Sequence, residues 1–449
     1  MTITTRTKPL AEVVRRIVSR DNGVWLDASD MSTMYQDAAG TVPVTAMEQP
    51  VGKWLDKSGN GNHATQSVTA SRPVISARKN LLTKTEDFAD AVWSKVSINT
   101  SSETIQTPSG LRSVVKITPT AVAGGHILYQ TTSYLIANKA LWFVVKSAGA
   151  PAASILFRAN PDPRYDCVSF SLTTGAEIYR NSVSGSLVAS CTQLSDGWFL
   201  IQGYPTYESS YRVGIGVCNP YVSDATYGGG MFTGDGVSGL YVYSPQLEYG
   251  PVATSYQRVN TATDYDTVGF KKYLKFDGVD DYLNLPYMGL YANGSASIVA
   301  ARDALSQTAD TYVISERSTS NVNPKYFPSR QLANAGNMDS YIVNDAATVV
   351  VDTVGSAYGG ASDAVVRSAI DSGNNIKLFK NGALAANDNY TRSGTLTLTN
   401  TTIGASVSTT TSNYANMKLY GLCIAKSALS DLERRRVERL LAYNSGVQI

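Results

Sequence analysis

From residue 113 to residue 426 the chain is a succession of short strand-like runs broken by turns, and many of them alternate apolar with polar residues. SVVKITPT (113–120), ALWFVVKSA (140–148), ASILFRAN (153–160), CVSFSLTT (167–174), GWFLIQGYPTY (197–207), YRVGIGVC (211–218) and SGLYVYSPQLEYG (238–250) form a first group. KYLKFDGVDDYLNL (272–285), ASIVAARD (296–303), TYVISER (311–317), SYIVND (340–345), AVVRSAID (364–371), NIKLFKNG (375–382), GTLTLTNTTIGA (394–405) and NMKLYGLCIAK (416–426) form a second. Alternation with period two places successive side chains on opposite faces, as in half-buried antiparallel strands. The pattern predicts an all-β chain. With 449 residues, one ordinary domain is exceeded and two or three are expected.

Helical periodicity occurs at the two ends. In KPLAEVVRRIVSR (8–20), Leu10, Val13, Val14, Ile17 and Val18 share one face, with Pro9 suited to a first turn. That face either packs on its own domain, or self-associates, or serves as a docking peptide built on Leu10, Val13, Val14 and Ile17. Near the C-terminus, SDLERRRVERLL offers a capping box from Ser430 and Glu433, with Leu432, Val437, Leu440 and Leu441 as its apolar side. No heptad, Gly-X-Y tract or short repeat predicts a fibre shaft.

Composition narrows the function classes. Charged residues are 16% and the formal charge is +2, from 38 basic and 36 acidic residues, which argues against a nucleic-acid grip. The four cysteines (Cys167, Cys191, Cys218, Cys423) show no CxxC pair and read as reduced thiols. No apolar run has the length of a membrane span, and no signal-peptide pattern opens the chain, so synthesis in the cytosol and no membrane insertion are expected. Only two histidines, His63 and His126, are present, and P-loop, GxSxG and HExxH motifs are absent. Asp277, Asp280 and Asp281 in FDGVDDYLNL read as turn formers, the alternative being a glycosidase carboxylate pair.

LKFDGVDDYLNL, IKLFKNG, TTIGA and MKLYGLCIAKSALSDLERRRVERLLA together resemble the closing half of the concanavalin/laminin-G-like lectin fold. WLDASD…DKSGNGNHATQ…ASRPVI resembles its opening. Between them, NLLTKTEDFADAVWSK, LSDGWFLIQG and GVSGLYVYSPQLEYGPVATSYQRV resemble the first, central and closing strands of phage-borne carbohydrate-binding modules. The resemblance implies two antiparallel β-sandwich (jelly-roll) domains, one discontinuous, with short N- and C-terminal helices. It covers nearly everything except the first twenty-two residues, with a lectin-like domain at 23–78 plus 262–449 and an inserted jelly roll at 79–261; the amphipathic helix assigned to 1–22, the candidate virion anchor, rests on its own periodicity.

The combination, with AAGTVPVTAMEQPVGKWLDKSGNGNHATQ, resembles phage tail and virion proteins. It implies a non-enzymatic virion protein of tail-fibre or tail-tip type, made in the host cytoplasm. Its implied partners are other virion proteins, host-surface polysaccharide and copies of itself, as a trimer. A capsid or tail decoration protein is the alternative, and a polysaccharide-degrading enzyme using Asp280 and Asp281 the third. No cofactor is required. By resemblance, Glu86 or Asp87 with Glu248 could hold a structural calcium ion, and Asp56 with Asn60 a weaker one.

Sugar recognition needs aromatic faces beside amides or carboxylates. Trp93, Tyr204, Tyr207 and Tyr211 are the glycan-binding candidates, near Gln202, Glu208 and Asn219, whereas Trp198 reads as core. An interface with another virion protein is an equal reading of the tyrosines.

Overall fold

The computed structural model describes residues 9–132, 139–159, 165–182, 187–206, 210–219, 231–303, 310–318, 325–331, 337–357, 364–407 and 412–449. It is all-β, with two α-helices, α1 (Leu10–Ser19) and α2 (Asp431–Ser445). The chain divides into two compact units, Met1–Ala77 with Lys271–Ile449, and Arg78–Phe270.

In the discontinuous unit an eight-stranded antiparallel sheet faces a nine-stranded one. The strand Asn416–Ala425 sits inside the first sheet, between Ala296–Asp303 and Tyr273–Asp277, and Val24–Asp27 also pairs with it. Leu419, Leu422 and Ile424 point into the core between the sheets, with Trp54, Phe276, Ile298 and Tyr326. Tyr420, Cys423 and Ala425 point the other way, onto a second apolar cluster built with both helices. A sheet buried on both faces needs apolar residues at nearly every position. This is why ASIVAARD and NMKLYGLCIAK read as continuous rather than alternating.

The apolar face of α1 belongs to that second cluster. Val14, Ile17 and Val18 are buried there against Trp25, Val437 and Leu441, and Leu10 and Val13 pack on its rim. The docking reading of Leu10, Val13, Val14 and Ile17 is corrected accordingly: this face is already covered by the chain's own sheet and α2. Gly23 permits the approach, since a Cβ there would lie 2.2 Å from the Ile424 carbonyl oxygen and 2.5 Å from that of Val18. Arg20, just beyond α1, reaches Glu433 at 2.8 Å.

The expected capping box forms in α2: Ser430 Oγ accepts from Glu433 N, and the Glu433 carboxylate accepts from Ser430 N. Gly446, at φ 81°, closes the helix in the left-handed conformation. Val437, Leu440 and Leu441 are buried as expected, but Leu432 is 61% exposed, one turn outside the contact face.

The chain leaves this unit from the strand Val74–Ser76 and returns in Tyr273–Asp277, and these two strands pair antiparallel with Ser76 opposite Tyr273. Exit and re-entry are therefore neighbours, so a whole unit fits where a hairpin loop would otherwise stand. The Arg78–Phe270 unit closes its own ends in the same spirit. Lys79 N and Asn80 N donate to Gln257 Oε1, while Asn80 Nδ2 donates to the carbonyls of Pro245 and Gln257.

This second unit is a sandwich of two six-stranded antiparallel sheets. One runs Glu177–Asn181, Tyr165–Ser171, Ala152–Ala159, Ser210–Cys218, Ile127–Thr131, Ser94–Val96. The other runs Leu187–Gln193, Trp198–Pro205, Lys139–Ala148, Gly239–Tyr249, Gly110–Pro119, Ile98–Thr107. Leu141, Phe143, Val145, Phe199, Ile201, Leu240 and Val242 fill the space between them.

Candidate functional site

With Leu141, Phe143 and Val145 inward, alternation sends Trp142, Val144 and Lys146 to the outer face of the second sheet. Trp198, Leu200, Gln202 and Tyr204 on one neighbouring strand, and Tyr241 and Tyr243 on the other, point the same way. Register then sets these side chains side by side. Lys146 stands opposite both Trp198 and Tyr241, and Tyr241 stands opposite Lys116. The result is a row across four strands in which rings and ammonium groups alternate, Trp198, Lys146, Tyr241, Lys116.

Each member has a defined state. Trp198 is fully buried, with its indole N–H donating to the Gln106 carbonyl at 3.1 Å and its ring edge-on to Tyr243 at 5.0 Å. Lys146 Nζ lies 5.9 Å above the Trp198 ring. Tyr241 is half-buried and its hydroxyl donates to Glu103 at 3.0 Å, which raises its pKa. Lys116 and Lys146 are also half-buried, and among the described residues neither is ion-paired. Beside this row runs a second one, Ser190, Gln202, Trp142 and Gln246. There Gln202 Nε2 donates to Ser190 Oγ at 3.0 Å and the Trp142 indole donates to Glu248 at 3.0 Å.

The face ends in a recess. Pairing of Gly239–Tyr249 with Gly110–Pro119 covers Leu240, Tyr241 and Val242 and goes no further. Ser244 follows at φ 51°, and Pro245 has no N–H to offer a ladder. The strands part, leaving a cavity of about 150 Å³ lined by Glu86, Phe88, Arg112, Ser113, Tyr243 and Ser244. Trp142, Gln246 and Glu248 are buried, so the surface itself offers the Tyr241 ring, the Gln202 amide, the carboxylates of Glu86 and Glu103, and the cations Lys116 and Lys146 for a carboxylate-bearing ligand.

The sequence-derived candidates are distributed differently. Tyr204 lies half-buried on this face, towards its edge. Tyr207 lies outside the described residues, and Tyr211 is the second residue of the strand Ser210–Cys218, with its side chain outside them. Trp93 is corrected: it is buried in the sandwich core, edge-on to Phe88 at 4.8 Å, and its indole donates to the Lys84 carbonyl. A ring enclosed on both faces has none to offer a sugar.

The calcium candidates already have partners or lie at the surface. Glu248 is fully buried, and its oxygens accept from Trp142 Nε1, Thr254 N and Thr254 Oγ1, with Lys79 Nζ at 3.3 Å. Glu86 and Asp87 are exposed. Asp56 accepts from Trp25 N, Ser58 N and Asn62 N, locking the SGNGN loop as an Asx turn, while Asn60 Nδ2 donates to the Gly23 carbonyl. Both histidines are structural: His63 Nδ1 accepts from Asp56 N, and His126 sits between the Ser97 and Phe232 carbonyls.

Asp277, Asp280 and Asp281 each place a carboxylate oxygen within 4.8 Å of the others. Asp277 Oδ1 accepts from the N–H of Val279, and Asp281 Oδ2 accepts from Asp277 N, so the turn binds itself. Asp280 accepts from Ser71 Oγ. Burial, then the neighbouring Asp277 charge, pushes Asp281 up from 3.8 to about 7. An acid whose folded pKa is raised stabilises the fold below its ordinary pKa and loses that contribution as pH rises through the folded one. The discontinuous unit should therefore lose stability between about pH 4 and pH 7 by this group. In thermal melts across that range, Asp281→Asn should flatten the dependence; an unchanged slope would assign it elsewhere.

The face was missed in the sequence because Trp142, Lys146, Tyr241 and Tyr243 come from two strands about a hundred residues apart. Alternation marks each as outward-facing or inward-facing, but the register that joins them is a tertiary fact.

No family model matches the chain, and no curated protein does. Among solved structures it is similar to the CBM40 module of Ruminococcus gnavus IT-sialidase, at 19% identity over 37% of this chain and 96% of that one, TM-score 0.32. The same module bound to α2,3-sialyllactose gives 19% identity over 37% and 95%, TM-score 0.31. The binding domain of botulinum neurotoxin DC in complex with SialylT gives 14% over 39% and 43%, TM-score 0.29.

Proposed function

We propose that this chain is a non-catalytic glycan-binding protein that holds acidic polysaccharide on the outer face of the second sheet of its Arg78–Phe270 unit. The half-buried Tyr241 ring, flanked by Lys146 and Lys116 and with Trp198 buried beside it as packing, supports this reading. Tyr241 offers a ring to the C–H face of a sugar, and the ammonium groups on either side of it attract a carboxylate. A site with one half-exposed ring binds weakly, so useful affinity comes from several copies acting together. The sequence resemblance extends the proposal to a virion component of a phage, of tail-fibre or tail-tip type, that meets host-surface polysaccharide.

Binding of the intact protein to acidic and neutral capsular polysaccharides tests the reading. Lys116→Ala combined with Lys146→Ala should lower affinity for the acidic polymer by roughly tenfold, about 1.4 kcal/mol, and leave any neutral binding alone. Added salt should weaken the wild type more than the double variant. If the double variant binds as the wild type does, the face is not the site.

A further inference from the structure

A second cavity, of about 320 Å³, lies at one end of the same sandwich. It is framed by the turn Gly149–Pro151, which carries the chain from one sheet to the other, by the end of Ser210–Cys218, and by the stretch that leads into Gly239–Tyr249. Its volume falls at the lower end of the range of small-molecule sites, roughly 300–1,000 Å³.

The lining has two characters. Pro151, Val217 and Phe232 supply an apolar wall, and Thr233, Asp235 and Ser238 a polar one. Phe232 is held in place by the His126 ring, edge-on at 4.5 Å. Asp235 is held by the backbone, its Oδ1 accepting from Val237 N at 2.8 Å and Ser238 N at 2.7 Å. Hydrogen bonds from Ser238 and Val237 hold its carboxyl down at about 2, so it is ionised at any physiological pH. Among the described residues, no lysine, arginine or histidine lines the cavity. Its charge is opposite in sign to that of the Lys116–Lys146 row.

We propose that this cavity is a separate binding site for a single polyhydroxylated ring that carries no negative charge, a neutral or amino sugar. The apolar wall takes the C–H face of the ring. Asp235, Thr233 and Ser238 take its hydroxyls, and the carboxylate adds attraction for an ammonium group while excluding uronates. The site does not depend on the sheet face described above.

Saturation-transfer NMR on the full chain tests it, with methyl glucoside, methyl galactoside, glucosamine and glucuronate at millimolar concentration. Transfer to the neutral glycosides and glucosamine, and none to glucuronate, is expected. Thr233→Trp, at an exposed position on the rim, should abolish it. Asp235→Ala should weaken glucosamine about tenfold more than the methyl glycosides, a selectivity that misfolding would not produce. The Lys116→Ala, Lys146→Ala protein should retain all these signals. Absence of transfer from every neutral and amino sugar, or signals that survive Thr233→Trp and vanish with the lysine pair, would overturn the proposal.

Discussion

Glu438→Ala is expected to destabilise the discontinuous unit by about 3–5 kcal/mol. Glu438 and Arg434 form an ion pair at 2.6 Å on α2 with 1% and 2% of their side chains exposed. Glu438 Oε1 also accepts from Ser368 Oγ at 2.6 Å, so the pair ties the helix to the sheet beneath it. The Arg434 guanidinium lies 3.7 Å over the Phe379 ring, and its Nε has no acceptor among the described residues. Removing the carboxylate leaves a buried cation whose nearest remaining partner is Asp431, 3.5 Å away and 80% exposed. The cost arises from the stranded charge rather than from the loss of a favourable contact. Replacing both members, Arg434→Met with Glu438→Leu, should therefore recover most of it. Calorimetric unfolding of the three proteins checks this; equal losses in the single and double variants would contradict it.

Trp198→Ala should cost a similar amount, about 3–5 kcal/mol, in the other unit. The indole is fully enclosed, edge-on to Tyr243, roofed by Lys146 and hydrogen-bonded to Gln106. Its removal opens a void directly beneath the proposed glycan face and leaves the Gln106 carbonyl without that donor. Glycan affinity should fall with stability, because Lys146 loses the ring over which it lies. Leu432→Ala, by contrast, should change stability by no more than about 0.5 kcal/mol, since that side chain points to solvent. Denaturant unfolding, with near-wild-type behaviour of Trp198→Ala, would show that the outer cluster carries little of the unit's stability.

These two sites illustrate which features the sequence made legible. The capping box of Ser430 and Glu433 spans one turn of helix, so spacing alone identified it. Strand identity was likewise local, since KALWFVVKSA or GLYVYSP declares its period within a few residues. What covers an apolar face is not local. The pattern Leu10, Val13, Val14, Ile17 described a buried face correctly but could not say that Trp25 and α2 were what buried it. The binding candidates show the same limit. Glu248 resembled a metal ligand until its partners Trp142, Thr254 and Lys79 were in view, and those come from up to 169 residues away along the chain. Trp93 and Trp198 are alike in composition-level terms. Trp93 fills the sandwich interior from the bend before Ser94–Val96, whereas alternation along Trp198–Pro205 puts Trp198 on the outer side of its sheet.

The central claim is that the outer face of the second sheet holds acidic glycan, and the five indole N–H groups of Trp25, Trp54, Trp93, Trp142 and Trp198 are suited to test it. In ¹⁵N-edited NMR, an acidic oligosaccharide titrated into the protein should shift the Trp198 resonance most and Trp142 next, leaving Trp25, Trp54 and Trp93 in place. Lys146→Ala should reduce those shifts. If Trp198 and Trp142 stay still at saturating oligosaccharide, or if only Trp25 or Trp54 moves, the glycan binds elsewhere or not at all, and the proposed face is wrong.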